Sequence, residues 1–339
     1  MKPRYIPFAI LASILLIFIV LDSSCRSGSK SELKTAASPA AQPSPTPKPE
    51  PLIAYLNEGN LWVVKSDGSQ KRVLAQSPEG EVIGDFIWSV DGTRIYFSIG
   101  LQLFEVVIES GNVANAGGLK TPIGVTLDRL ELGRDGKTIV VHTIDADSAP
   151  RIFSVISDSN SSQELTVDEY AALVAFRTPV IRNIGDISVS PDGNRILFKS
   201  AVGTGEELFV AESENGSRIQ ITNLSDLNGF EDSVQSEGGR RMLEAAWSRD
   251  GRYVIFTPMQ SCSDSGLCYG HLFLTSAWGG VQLQLSSEMM IGVSQEWSSA
   301  GNLLVFDDGS KVVLADTKGS QKTLTEGNHP KWQPVLDHQ

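Results

Sequence analysis

Short apolar runs separated by polar turns recur along this chain, and the most regular of them flank an Asp-Gly pair. They read WSVDGTRIYF at Trp88 to Phe97, VSPDGNRILF at Val189 to Phe198 and WSRDGRYVIF at Trp247 to Phe256. LGRDGKTIVV at Leu132 to Val141 and WSSAGNLLVF at Trp297 to Phe306 are blurred copies. Asp-Gly between apolar runs predicts a hairpin, because glycine accepts positive φ and aspartate can bond its own downstream backbone. A third run comes after each motif, such as QLFEVVI, ELFVAES or HLFLTSA. A polar turn and a short fourth run then complete a unit of four antiparallel strands. The turn positions 91, 135, 192, 250 and 300 are 44, 57, 58 and 50 residues apart, the period of propeller blades carrying loop insertions.

Five units are complete and two pieces are left over. HPKWQP at His329 to Pro334 reads as a first strand, while Leu52 to Ala75 supplies strands two to four. Joined, they make a sixth blade. The expected fold is therefore all-β, a six-bladed β-propeller closed by pairing the N- and C-terminal strands of residues 52–339, which removes the exposed sheet edges. Trp88, Trp247, Trp297 and Trp332 share one register in four blades and are expected to be apolar wedges between sheets.

These units resemble the WD-like repeats of the TolB family, periplasmic proteins whose C-terminal domain is a six-bladed β-propeller. The resemblance covers about residues 52–339 and implies that architecture. The same repeat occurs in the propellers of prolyl oligopeptidases. Between the linker and the first blade there is no room for the N-terminal α/β domain of the TolB family.

Residues 1–25 begin with Lys2 and Arg4, run uncharged from Tyr5 to Leu21 and finish at LDSSC, the pattern of an export signal or a membrane anchor. The positive flank predicts that the propeller is translocated. Cys25 after Ser23 and Ser24 resembles a lipobox and is the candidate lipidation site, with Asp22 standing where an aliphatic residue is usual. A lipoprotein, an uncleaved anchor and ordinary secretion all place the propeller outside the cytoplasm. Residues 26–51, ending AASPAAQPSPTPKPEP, have little to bury and read as a semi-extended tether.

The chain carries a net charge of −12; residues 1–51 hold six basic and three acidic residues, leaving −15 on the remainder. Such a surface disfavours nucleic acid and anionic lipid as partners. Cys262 and Cys268, in SCSDSGLCYG, are expected to form a disulfide across a long hairpin, worth about 2 kcal/mol. Four histidines, His142, His271, His329 and His338, have no zinc-type spacing, and no cofactor or metal is expected.

Strand direction puts second-to-third and blade-to-blade loops on one face of such a disc. The long departures from the repeat, residues 158–184, 223–242 and 259–270, project mainly from that face over blades three to five. Loops on a rigid scaffold are where recognition is usually placed. The first contains TVDEYAALVAF, a helix with a Thr166/Glu169 capping box and Val167, Tyr170, Ala171 and Val174 on one side. This stripe can dock on its own domain or meet a partner. Candidate partner-binding residues are Tyr170, Val174, Phe230, Glu231, Asp232 and Tyr269. No Gly-x-Ser-x-Gly elbow occurs, and Asp145 and Asp147 lack a paired nucleophile or base. The sequence thus predicts a monomeric, membrane-tethered binding module that is not an enzyme, with a protein or cell-envelope partner. The alternative is a propeller hydrolase or lyase acting on glycan or peptide, which would need titratable groups from three or more blades along the central channel.

Overall fold

The Ser-x-Asp-Gly sequence supplies the hydrogen bonds that close its own turn. Ser89 N donates to Arg94 O at 2.9 Å and Gly92 N to Ser89 O at 3.0 Å. Asp91 Oδ1 accepts from Thr93 N at 3.0 Å and from Ser89 Oγ at 2.6 Å. Gly92 sits at φ 67°, which costs glycine little. Ser190/Asp192/Gly193 and Ser248/Asp250/Gly251 repeat the backbone pattern. The blurred copies improvise: Thr138 Oγ1 donates to Asp135 Oδ2 at 2.6 Å where glycine replaces serine, and Ser298 Oγ donates to Asn302 Oδ1 at 3.2 Å where alanine replaces aspartate.

These turns set a pH dependence. The Ser190 hydroxyl, aided against burial by Asn194 N–H and the charge of Arg195, holds the Asp192 carboxyl below the usual aspartate range. A depressed folded pKa contributes stability that is present above the unfolded value and lost as pH falls through the folded one. Asp192→Ala should therefore cost about 1 kcal/mol at neutral pH. In urea melts its deficit from the parent should shrink as the solution is acidified; a deficit independent of pH would contradict the assignment.

The computed structural model describes residues 50–119, 124–147, 149–156, 161–174, 187–203, 205–212, 214–227, 241–263, 268–289 and 294–335. Its strands in chain order are β1 (Leu52–Asn57), β2 (Asn60–Lys65) and β3 (Arg72–Ala75), then β4 (Ile83–Trp88), β5 (Arg94–Ile99), β6 (Gln102–Val107) and β7 (Val113–Gly118). The third group is β8 (Thr126–Leu132), β9 (Thr138–Ile144), β10 (Pro150–Ile156) and β11 (Ser162–Glu164), with helix α1 (Val167–Val174) after it. The fourth is β12 (Ile187–Val189), β13 (Arg195–Val202), β14 (Gly205–Glu212) and β15 (Arg218–Gln220). The fifth is β16 (Met242–Trp247), β17 (Tyr253–Pro258), β18 (Ser261–Cys262), β19 (Cys268–Tyr269), β20 (Phe273–Ser276) and β21 (Leu283–Gln284). The sixth is β22 (Gln295–Trp297), β23 (Leu303–Asp307), β24 (Lys311–Asp316) and β25 (Gln321–Glu326), and β26 (Asn328–Trp332) ends the series.

Within the described residues these strands form six four-stranded antiparallel sheets, with β18 and β19 pairing separately. The first sheet runs β26-β1-β2-β3. Ile53 pairs with Trp332 and Ala54 with Lys331, so the two chain regions left over from the repeat share one sheet. Strand β26 also lies against β22 and β4, and β4 against β8.

Alternation within each strand sends apolar side chains to both faces, and the core is a series of layers between sheets. Leu61 and Val63 meet Phe86, Ile95 and Phe97 between the first and second sheets, and Val305 and Val312 meet Ile53, Tyr55 and Trp332 between the sixth and first. Trp88, Trp247, Trp297 and Trp332 are buried in these layers. Three of their indoles also tie neighbouring first strands together: Trp88 Nε1 donates to Lys331 O at 3.2 Å, Trp247 Nε1 to Ser188 O at 3.3 Å and Trp332 Nε1 to Glu296 O at 3.1 Å. Arg195 adds a second link, its guanidinium lying between the rings of Trp247 and Trp278 and donating to Gly251 O at 2.7 Å.

Candidate functional site

The sequence placed recognition on the long loops, and the structure treats those candidates differently. Thr166 and Glu169 cap α1 reciprocally, with Thr166 N donating to Glu169 Oε2 at 2.8 Å and Glu169 N to Thr166 Oγ1 at 3.3 Å. Tyr170 then turns inward. It is 7% exposed, donates its hydroxyl to Glu131 Oε2 at 2.9 Å and meets the His142 ring edge-on at 5.3 Å. His142 Nε2 shares the same Glu131 oxygen at 3.1 Å. Tyr170 is therefore corrected from a partner-binding residue to the peg that seats α1 on the third sheet. Val174 is the last residue of that helix. Phe230, Glu231 and Asp232 lie outside the described residues, as does Cys25.

The cysteine loop is a small hairpin of its own. Ser261 pairs with Tyr269 and Cys262 with Cys268, whose sulfurs stand 2.13 Å apart. Gln260 N donates to Tyr269 O at 2.8 Å and Met259 N to Arg241 O at 2.8 Å, anchoring the hairpin base. A Cβ on Gly270 would lie 1.9 Å from Pro258 O, so the return to β20 needs glycine. Cys262 is exposed and Tyr269 half-buried.

A second feature was not singled out from the sequence: carboxylates on the first strands of the sheets. Asp85 of β4 is buried, accepts from Leu130 N of β8 at 2.8 Å, and pairs at 2.8 Å with Lys331 Nζ of β26. Lys331 also donates to Phe86 O and lies 4.8 Å from the centroid of its ring. Glu296 of β22 accepts from Trp332 N at 2.7 Å and pairs with Arg249 at 3.1 Å. Each acid thus satisfies a main-chain N–H of the next sheet's first strand, which no β-ladder reaches. Burial pushes the Glu296 carboxyl above the usual glutamate range, against the pull of Arg249, the Trp332 N–H and Lys331. Glu244 of β16 is solvent-accessible but hemmed in by protein, and loss of surrounding water raises its carboxyl too. Among the described residues, no three His, Cys, Asp or Glu side chains converge to hold a metal ion. No described helix is long and apolar enough to cross a membrane, and the apolar run Tyr5 to Leu21 lies outside the described residues.

No protein-family model and no curated protein sequence matches the chain. Solved structures do. TolB from Acinetobacter baumannii is 17% identical over 84% of this chain and 67% of its own, with a TM-score of 0.43. A chain of the Nidogen/Laminin complex is 10% identical over 84% of this chain and 98% of its own, TM-score 0.43. Oligogalacturonate lyase from Vibrio parahaemolyticus is 11% identical over 81% and 79%, TM-score 0.35. The expectation that this chain is not an enzyme is corrected by that last finding: the structures it resembles include lyases alongside TolB, so the fold excludes neither class. In architecture, and at low sequence identity, the chain is similar to TolB and other β-propeller proteins.

Proposed function

We propose that this protein works outside the cytoplasm, held at a membrane by residues 1–25 and the tether of 26–51, and binds a protein or other cell-envelope partner. In this reading the six sheets close into a six-bladed ring, supported by the place of β26 beside β1, β22 and β4. The partner meets the face that carries the second-to-third and blade-to-blade loops. The observation that carries the reading is the β18–β19 hairpin, a narrow ladder that leaves the fifth sheet between β17 and β20, crosslinked by Cys262 and Cys268 and presenting Tyr269. A disulfide there would hold the hairpin in one conformation before binding, which lowers the ordering cost of association.

The test is crosslinking and mass spectrometry on the native envelope with three forms of the full chain. The parent should capture a partner through residues 241–270. Cys262→Ser/Cys268→Ser and Tyr269→Ala should each weaken capture about tenfold. Undiminished capture by both variants would move the interface elsewhere.

A second reading, an enzyme acting on glycan or peptide, is favoured by the titratable groups that Asp85, Glu244, Glu296 and Lys331 bring from four sheets to the first strands. Turnover of an oligosaccharide or peptide that disappears in Glu244→Gln, with folding intact, would establish it.

A further inference from the structure

Where the first and second sheets meet, the space in front of Asp85 is filled from within. Lys331 extends from β26 across the Phe86 ring and delivers its ammonium to Asp85 at 2.8 Å. The junction of the fourth and fifth sheets has the same strands in the same register, since Trp247 Nε1 donates to Ser188 O as Trp88 Nε1 donates to Lys331 O. Counting back from each tryptophan, Ser188 stands in the place of Lys331, Ala245 in that of Phe86, and Glu244 in that of Asp85. Two large groups have become small ones while the acid is kept. What remains is a cleft enclosing about 260 Å³ of open space, lined by Ser188, Leu197, Lys199, Leu208, Glu244 and Ala245.

We infer that this cleft binds a primary alkylammonium group, which enters where the Lys331 side chain lies at the sister junction and sets its charge between the Glu244 carboxylate and the Ser188 hydroxyl. Two independent observations point to such a ligand. Ser188 is 3% exposed and its Oγ has no hydrogen-bond partner, a buried polar atom of the kind proteins rarely leave unsatisfied. Glu244 makes no hydrogen bond or ion pair among the described residues, whereas Asp85 has both. Lys199, the basic side chain of the cleft, places its ammonium 3.4 Å from Met242 O and does not pair with Glu244. Leu197 and Leu208 offer walls for a methylene stem, as the Phe86 ring does for Lys331. The raised pKa of Glu244 fits an acid with no counter-charge beside it. Binding in this cleft does not depend on the loop face.

The test is calorimetry on the full chain in detergent at fixed ionic strength, with n-butylammonium and with Nα-acetyl-lysine amide. The neutral isostere n-butanol is the control. At least one of the two amines should give saturable binding and n-butanol none. Glu244→Gln should weaken binding at least about tenfold. Ser188→Lys, which installs the cation that the sister junction already owns, should abolish binding and raise Tm; it carries the test if Glu244→Gln fails to fold. Binding of butylammonium as tight as the lysine derivative identifies a free amine as the occupant, and binding of the lysine derivative alone identifies a partner protein's lysyl side chain. No saturable heat from either amine at millimolar concentration, or binding that survives Ser188→Lys, overturns the inference.

Discussion

Trp332→Ala should lower the folding stability by about 3–5 kcal/mol, among the largest losses available to one substitution in this protein. Trp332 is 4% exposed, packs with Ile53, Tyr55, Val64, Val305 and Val312, and donates its indole N–H to Glu296 O at 3.1 Å. Truncation empties the layer between the sixth and first sheets at the point where the last strand joins the first. Trp278→Ala is the control. That indole is 60% exposed and makes its ring contact with Arg195, so its removal should cost less than about 1 kcal/mol. Urea melts would supply both numbers, and native-state hydrogen exchange would locate the damage. If β26 holds β1 as the pairing of Ile53 with Trp332 indicates, amides of β1 should lose protection in the Trp332 variant before those of β5 or β17. Equal costs for the two tryptophans, or protection unchanged in β1, would mean that the terminal strands are not what holds the first sheet together.

The features that made this fold legible are local and repeated. Ser-x-Asp-Gly closes its own turn, because serine and aspartate side chains complete the bonds that glycine's φ permits, and the apolar alternation on each side then fixes which residues face the layers. The two incomplete ends were readable for the same reason: each lacked what the other had. The first-strand belt was not readable. Asp85 and Lys331 are 246 residues apart, and an isolated charge in a strand gives no sign of whether water or a distant counter-ion will meet it. Counting from the register tryptophans could have found the pair, since Asp85 and Glu244 both stand three residues before one and Lys331 stands directly before another. Tyr170 shows the opposite failure. Its helical stripe was visible, but an amphipathic stripe does not say whose surface it covers; the deciding groups, Glu131 and His142, lie on β8 and β9 and offered the phenol a buried acceptor and a ring edge. Of the residues chosen for recognition, the cysteine pair and Tyr269 stand together on one hairpin, because their chain separation is only a tight loop.

Lys331→Met should destabilise the protein by about 3–5 kcal/mol near neutral pH, the cost of leaving a buried carboxylate without its partner. The Asp85 side chain is 10% exposed and that of Lys331 26% exposed, so the pair is shielded from solvent far more than a surface ion pair, whose loss would cost about 0–1 kcal/mol. Methionine keeps most of the methylene stem over the Phe86 ring, which confines the change to the charge. The same ammonium helps hold down the pKa of Glu296, so its removal raises that carboxyl further. This fixes the sign of the pH effect. A carboxyl whose folded pKa lies above its unfolded value takes up protons on folding, and its contribution is fully present below the unfolded pKa and lost as pH rises through the folded one. The variant should therefore be nearest the parent in acid and fall furthest behind at neutral pH, the reverse of the Asp192→Ala profile. Asp85→Asn in the Lys331→Met background removes the orphaned charge while keeping an oxygen for Leu130 N, and should restore most of the loss. Urea melts of the parent, the single and the double variants near neutral and at mildly acidic pH decide the matter. If Lys331→Met costs no more than an exposed pair would, or if Asp85→Asn adds to the damage instead of relieving it, the belt is a set of hydrogen bonds that tolerates an unpaired acid. The cleft beside Glu244 would then need no cation to complete it.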